Sequence, residues 1–322
     1  MTLSTIPRWK SVGTVVAILL LAAVLQFFDA NPAASQALYL TAYEAPQDPG
    51  LDPSAGVWKD VPPIRVPLTA QSGIYSAGGG SVPFVNAQAL HYNNQVYIRV
   101  QWDDATLDES TLRAQDFADA VALEFPAKAA SSVPSICMGQ ADAGVNIWHW
   151  RADSQAGGPA PDVVHEGMLD DGSPEVFYTA RMVGNPFANP DAGAVQTLIS
   201  QTFGALSPAA RQDVVGQGER LENGWAVVFM RANAGADTDQ ANFSPGMKTD
   251  MALAVWNGSE GDRNGRKSAS QFVTLALSGA PLPADGGTNM TAVLIAVAVV
   301  GGFVAIGIGL GAYGYMEDRG KR

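Results

Sequence analysis

The central part of this chain contains short runs in which apolar and polar residues alternate, and these runs constrain the fold most. Residues 95–102, QVYIRVQW, have the two-residue period of a strand with one buried face and are rich in β-branched and aromatic residues. Four other runs have the same character, namely DAVALEF, GWAVVFMR, DMALAVWNG and SQFVTLAL. Helical periodicity is weak and appears around residues 194–205. The pattern predicts a mainly β protein, an antiparallel β-sandwich.

Long loops interrupt the strand pattern in the second half of this region. Residues 152–220 contain SQAGGPAPD, DDGSP and GNPFANPDAG, all rich in residues that end regular structure. Loops of this length in a compact domain usually cover or build a functional site.

Composition excludes several classes of function. The chain has 19 Lys and Arg against 31 Asp and Glu, for a net charge of −12. An acidic protein repels phosphate backbones, so no nucleic acid partner is expected. The single cysteine excludes an internal disulfide framework, a CxxCH haem attachment and a four-cysteine cluster. No HExxH, GxSxG or P-loop motif occurs, so we expect that the chain is not itself an enzyme.

The N-terminal segment has the features of an export signal. Arg8 and Lys10 precede an apolar run, residues 12–28, and small residues follow it. A cleaved signal peptide has this order, and a run of about 17 apolar residues is also the lower limit for a membrane span. Residues 1–37 are therefore either a signal peptide or an N-terminal membrane anchor.

The C-terminal segment predicts a membrane span. Residues 290–315 contain no charged side chain and are long enough to cross a bilayer, which predicts a transmembrane helix at residues 288–316. Basic residues in the tail, residues 317–322, and at the N-terminus indicate that both ends are cytoplasmic. The domain between them, residues 38–285, is then expected on the extracytoplasmic (periplasmic or outer) side of the cell membrane.

The rarest residue types of the chain are concentrated in residues 135–150, SICMGQADAGVNIWHW. This stretch holds the only cysteine, Cys137, together with Met138 and a Trp-His-Trp triplet. Such a cluster forms either a dense part of the core or the wall of a pocket. Cys137 itself is expected to be buried and inert.

The order of motifs along residues 38–280 resembles a known family. The motifs are DPSAGVWKDVPPIRVPLTAQ, ALHYNNQVYIRVQWDD, DAVALEFP, CMGQADAGVNIWHWRAD, VGNPFANPDAGAVQTLISQTFGALSP, ENGWAVVFMR and ALAVWNGSEGDRNGRKSASQF. Together they resemble the haem-b-binding γ subunits of the ethylbenzene dehydrogenase type. Similar subunits accompany dimethylsulfide dehydrogenase, selenate and chlorate reductases and nitrite oxidoreductases.

The resemblance implies a cofactor and its ligands. In that family a non-covalent haem b lies in a β-sandwich, and a methionine and a lysine bind its iron. The methionine of the CMG motif corresponds to Met138, and the lysine of the RKSAS motif corresponds to Lys267. Met247 and Lys248 are the nearest alternatives for the second ligand.

This ligand pair suits electron transfer. A thioether is a soft, neutral ligand that favours ferrous iron. A lysine binds iron only as a neutral amine, which burial favours. Because both axial positions are then taken, such a haem exchanges electrons and does no bond chemistry.

Five more residues are candidates for cofactor contacts. His149 is expected to hydrogen-bond a haem propionate or a loop carbonyl, with axial ligation as the alternative. Asn146 and Arg151 are close enough in sequence to bind a propionate as well, and Arg266 suits a carboxylate. Alternation in the strand would turn Trp148 away from His149, and the aromatic residues here would exclude water from the ring.

The resemblance implies a membrane-anchored, extracytoplasmic b-type cytochrome subunit that relays electrons in a respiratory or other redox complex. The partners that it implies are a molybdopterin catalytic subunit, an iron–sulfur subunit and a soluble electron carrier. Family members are typically exported and soluble, whereas this chain adds the predicted C-terminal span. The alternative is a haem-free β-sandwich that binds ligands or assembles a membrane complex, with Trp148, Trp150 or Trp256 as a sugar platform.

Overall fold

The alternating runs of the sequence form strands in the computed structural model. It describes residues 38–71, 78–111, 115–127, 134–136, 138–156, 163–168, 174–178, 193–202, 204–235 and 237–281. These residues belong to one compact unit, Ala37–Gly286. Residues 1–37, the span expected at 288–316 and Cys137 lie outside the described residues. No helix within the described ranges is long and apolar enough to cross a membrane.

The described residues are mainly strand, with three short helical turns. The strands are β1 Tyr39–Glu44, β2 Ile64–Pro67, β3 Thr69–Gln71, β4 Phe84–Tyr92, β5 Gln95–Asp103, β6 Ala120–Pro126, β7 Val145–Arg151, β8 Val163–Met168, β9 Pro174–Tyr178, β10 Val195–Ser200, β11 Ser207–Pro208, β12 Val215–Leu221, β13 Gly224–Ala232, β14 Lys248–Trp256, β15 Lys267–Ala269 and β16 Val273–Pro281. The helical turns are α1 Ala152–Gln155 and the 3₁₀ turns Gly56–Lys59 and Gly258–Glu260.

Two layers of strands share β14. Its first half pairs with β16 in the layer β12-β13-β5-β4-β1-β16, with β2 added beside β4. Its second half, from Ala252 to Trp256, pairs with β6 in the layer β14-β6-β7-β10-β11. On its other side β14 pairs with β15, which also pairs with β3. Strands β8 and β9 form a separate hairpin.

Two details differ from the prediction. Most pairs are antiparallel as predicted, but β1 runs parallel to both of its neighbours, β16 and β4. The weak helical pattern around residues 194–205 does not correspond to a helix, because strand β10 forms there and pairs along its whole length with β7. The apolar residues of β10 bury against the neighbouring strands, and this tertiary contact overrides a weak local period.

Large aromatic rings from both layers fill the space between them. The Trp150 ring of β7 lies 6.4 Å from Trp102 of β5 and 5.1 Å from Trp225 of β13, measured between centroids. Phe125 of β6 lies 4.7 Å from Trp148. These rings are at most 3% exposed. A core shared by the inward faces of two layers is the packing that defines a β-sandwich.

Glycines in β12 allow the edge of one layer to approach the Trp150 ring closely. A methyl group added at Gly218 would overlap the Cζ2 atom of that indole. Gln155 links β12 to the Trp150 ring, because its Oε1 accepts hydrogen bonds from both Gly218 N at 2.7 Å and Trp150 Nε1 at 3.0 Å. The close approach therefore requires glycine at this position of the strand.

We expect Gly218→Ala to lower the free energy of unfolding by about 2 kcal/mol, because a methyl group in a packed core forces neighbouring atoms apart. Urea denaturation measures the change. Gly279→Ala is the control, because a methyl group at Gly279 of β16 meets no atom within 4 Å. Equal effects of the two substitutions would contradict the packing described for β12.

Candidate cofactor-binding pocket

The outward face of the layer formed by β14, β6, β7 and β10 carries a pocket of about 650 Å³. This volume is typical of cofactor and small-molecule sites, which span roughly 300–1,000 Å³. Loops that follow or precede the strands form its walls, including residues near Met138 and Asn264.

Alanines form the floor of the pocket. Ala122 of β6 pairs with Ala254 of β14 on one side and with His149 of β7 on the other, so the three side chains share one face. Ala120 and Ala252 line the pocket as well. Small side chains at the centre of a sheet face leave room for a flat ligand to approach the strands.

Met138 lines this pocket from a strained turn. Its φ is 78°, in the left-handed region that non-glycine residues rarely adopt, and Gly139 follows with a φ of 75°. Gly139 N donates to Ser135 O at 2.9 Å and closes the turn. Backbone strain of this kind costs about 1–3 kcal/mol and occurs most often at functional sites. We therefore infer that this turn conformation positions Met138 at the pocket.

Lys267 reaches the pocket from β15. Its Nζ lies 5.0 Å from the centre of the Trp256 ring, which also lines the pocket. The charge of Lys267 acts on both Glu124 and His149, which lie on the same face of neighbouring strands. Lys267 and Met138, which are far apart in the sequence, thus line one pocket.

Glu124 is a site residue that the sequence analysis missed. Burial raises its pKa to about 8, although the charge of Lys267 and a hydrogen bond from the Met138 backbone act in the opposite direction. The side chain is therefore mainly protonated at neutral pH. The available signal was a carboxylate inside the apolar run DAVALEF, on the same face as Ala122.

His149 lines the pocket with a buried ring nitrogen. Its ring lies 5.1 Å from Trp256, and its Nε2 has no hydrogen-bond partner among the residues that the structure describes. Burial lowers its pKa to about 3, and the charges of Arg151 and Lys267 add to the effect. The ring is neutral at physiological pH, so it can accept a hydrogen bond or bind a metal.

Of the seven residues predicted to contact the cofactor, four come together and three do not. Met138, His149, Arg151 and Lys267 line the pocket. Trp148 and Asn146 are fully buried on the inward face of β7, as alternation requires for Trp148. Arg266 donates to Glu260 O at 2.6 Å and is absent from the pocket lining.

The alternative ligands Met247 and Lys248 lie away from the pocket. Met247 is among the exposed large hydrophobic side chains, and Lys248 Nζ lies 5.3 Å from the Tyr39 ring. Neither lines the pocket. Among the described residues, no cluster of three or more His, Cys, Asp and Glu side chains could hold a metal ion.

Asn146 connects the two layers instead of contacting the pocket. Its Oδ1 accepts from Trp148 Nε1 at 3.0 Å, Arg231 Nη1 at 3.1 Å and Ala241 N at 3.3 Å. Its Nδ2 donates to Leu198 O at 3.0 Å. Every polar atom of this buried amide side chain is thereby used within the core.

Fold and pocket together define the chain as a β-sandwich protein with a cofactor-sized pocket on one layer. The chain belongs to the ethylbenzene dehydrogenase family, whose model matches residues 55–268. It is 27% identical over 232 residues to a Haloferax mediterranei protein assigned by name as the heme subunit of a respiratory nitrate reductase, covering 70% of this chain and 68% of that protein.

Two other relatives are named as γ subunits. Chlorate reductase subunit gamma of Ideonella dechloratans is 26% identical over 221 residues, covering 68% of this chain and 75% of the relative. Dimethylsulfide dehydrogenase subunit gamma of Rhodovulum sulfidophilum is 26% identical over 249 residues, covering 73% of this chain and 78% of the relative. Among solved structures, a family 9 carbohydrate-binding module of Caldicellulosiruptor kristjanssonii matches with a TM-score of 0.39 and 9% identity, covering 75% of this chain and 95% of the module.

We expect Asn146→Ala to lower the free energy of unfolding by about 3 kcal/mol or more, because three buried donors lose their acceptor at once. Chemical denaturation measures the loss. Asn86→Ala, at a half-buried position of β4, is the control and should cost less than about 1 kcal/mol. An Asn146→Ala protein as stable as this control would show that the hydrogen-bond network contributes little.

Proposed function

We propose that this chain is a haem-b-binding electron-transfer subunit of an oxidoreductase complex, with Met138 and Lys267 as the axial ligands of the iron. The observation that carries the proposal is that these two donors line one pocket in a member of the ethylbenzene dehydrogenase family. The names of the relatives support it, since one is a heme subunit and two are γ subunits of a reductase and a dehydrogenase.

The residues of the pocket fit such a group. Met138 offers a neutral thioether and Lys267 an amine, and the alanine floor leaves space beside them. Lys267 is half-buried, and the neutral His149 and Glu124 side chains line the same pocket. A lysine would bind the iron as its neutral amine, and bonding to the metal would favour that form. When bound, the haem would supply one-electron transfer at its iron.

Both axial positions would be filled by this chain, so no position would remain for a substrate. The chain would then pass electrons and leave substrate chemistry to another subunit. The resemblance points to a molybdopterin catalytic subunit and an iron–sulfur subunit as partners, with a soluble carrier as a further partner. The predicted terminal segments support a place on the extracytoplasmic side of the cell membrane.

A haem-free binding or assembly module is the second candidate. Two of the three tryptophans considered as a sugar platform, Trp148 and Trp150, are 0% exposed, so they offer no surface to a ligand. Trp256 does line the pocket, but it lies beside the Lys267 amine. The described structure therefore favours the haem proposal.

The decisive measurement is an absorption spectrum of the full chain, purified in detergent from a haem-replete host. We expect sharp α and β bands after dithionite reduction and about one haem b per chain in a pyridine haemochrome assay. A folded but colourless protein would contradict the proposal and favour the haem-free module.

We expect Met138→Ala and Lys267→Ala each to shift or abolish the reduced bands and to weaken haem binding about tenfold or more, equivalent to ~1.4 kcal/mol. Met247→Ala and Lys248→Ala are matched controls, because both residues lie outside the pocket lining. His149→Ala distinguishes the remaining donor. Unchanged spectra in both ligand variants, with a changed spectrum in His149→Ala, would assign His149 as a ligand instead.

We also expect Ala122→Phe to prevent haem binding without unfolding the protein, because the ring would occupy the centre of the pocket floor. Haem content per chain and circular dichroism measure the two effects. Ala280→Phe, at an exposed position of β16, is the control and should retain full haem content. Normal haem content in Ala122→Phe would show that the ligand does not approach this floor.

A further inference from the structure

The pocket has two chemically different ends along strand β6. At the start of β6, Ala120 pairs with Arg151 of β7. Near the end of β6, Glu124 pairs with Ile147, which in turn pairs with Leu198 of β10. The two positions are four residues apart along the strand, a distance of about 13 Å.

The end near Glu124 is mainly apolar. Ile147 and Leu198 contribute from the sheet, and Ile136, Met138 and Leu206 line the pocket from loops. Glu124 is the polar exception among these residues. An apolar edge of a bound ligand would lose water at this end without losing hydrogen bonds.

The end near Ala120 is polar and carries two guanidinium groups. Arg151 and Arg263 line it together with Thr111 and Asn264. The Arg263 guanidinium lies 4.6 Å from the ring centre of Phe117, three residues before β6, which places it at this end.

Both arginines are held in place by hydrogen bonds or ion pairs that use only some of their guanidinium N–H donors. Arg151 pairs with the buried carboxylate of Asp153, which also accepts from Thr111 Oγ1 at 3.0 Å. Arg263 Nη1 donates to Gly261 O at 2.8 Å. A guanidinium has five N–H donors in a planar fork that matches a carboxylate, so each anchored arginine retains donors for a ligand.

We propose that Arg151 and Arg263 bind the carboxylate groups of the pocket's ligand and thereby set its orientation. This inference rests on the proposed function, because haem b carries two propionate carboxylates on one edge and apolar substituents on the other. The carboxylate edge would then lie at the start of β6, and the apolar edge would lie against Ile147 and Leu198.

Arg266, which the sequence suggested for this role together with Arg151, has other partners. Its Nε lies 3.5 Å from the buried carboxylate of Asp262, and its Nη2 donates to Glu260 O at 2.6 Å. It does not line the pocket. Arg266 is close to Arg263 in sequence, so its substitution controls for a general loss of positive charge.

The test compares haem with haem dimethyl ester, in which both carboxylates are blocked. The apo form of the full chain in detergent is titrated with haem and, separately, with the ester. The ratio of the two dissociation constants is then compared between variants. The comparison removes the effect of the different partition of the two probes into detergent, because that effect is the same for every variant. We expect the wild-type protein to favour haem over the ester by about tenfold. Arg151→Gln and Arg263→Gln should each reduce this ratio, and the double variant should bring it near one.

Arg266→Gln should leave the ratio at its wild-type value. Arg151→Gln removes a partner of the buried Asp153 carboxylate and can therefore prevent folding. In that case Arg263→Gln provides the test by itself, because Arg263 is exposed. An unchanged ratio in Arg263→Gln and in any folded Arg151→Gln protein, with haem still bound, would overturn the orientation proposal alone. Failure of the wild-type protein to bind either probe would overturn the proposed function and this inference with it.

Discussion

The packing of the Trp148 and Trp150 indoles between the two sheets is the interaction on which the pocket depends. Both side chains leave β7 on its inward face, so the residues between and beside them, His149 and Arg151, must point outward. A shift of one residue in the register of β7 would exchange these two sets. The indoles bury too much apolar surface for that exchange, and the same burial that stabilises the core therefore directs the imidazole and the guanidinium into the pocket.

A buried cation strengthens this arrangement. Arg231 of β13 is 0% exposed and lies 5.1 Å from the Trp148 ring and 5.2 Å from the Phe243 ring. Burial lowers its pKa to about 10. Its N–H groups donate to Asn146 and to the carbonyls of Ala232 and Ala241. A desolvated charge requires such a set of partners, and the set is available only when β7 and β13 face each other in one register.

The proposed ligands reach the pocket by different routes. Lys267 arrives through backbone pairing, because β15 adds to β14 and so places the lysine beside Trp256. Met138 lies in a turn with left-handed backbone conformation, and its backbone N–H donates a hydrogen bond to Glu124. Glu124 thus contacts Met138, and its pKa depends on the charge of Lys267. It is therefore the residue that connects the two sides of the site.

Local patterns in the sequence were sufficient to predict the strands, the β-sandwich and the opposite orientation of Trp148 and His149, because a period of two residues is set by the strand backbone itself. The motif order was sufficient to indicate the family. Tertiary structure decided the parallel pairing of β1 and the strand at β10. It also brought Glu124 and Arg263 to the pocket. These outcomes depend on which strands become neighbours, and that choice follows from burial across the whole domain, not from any one segment.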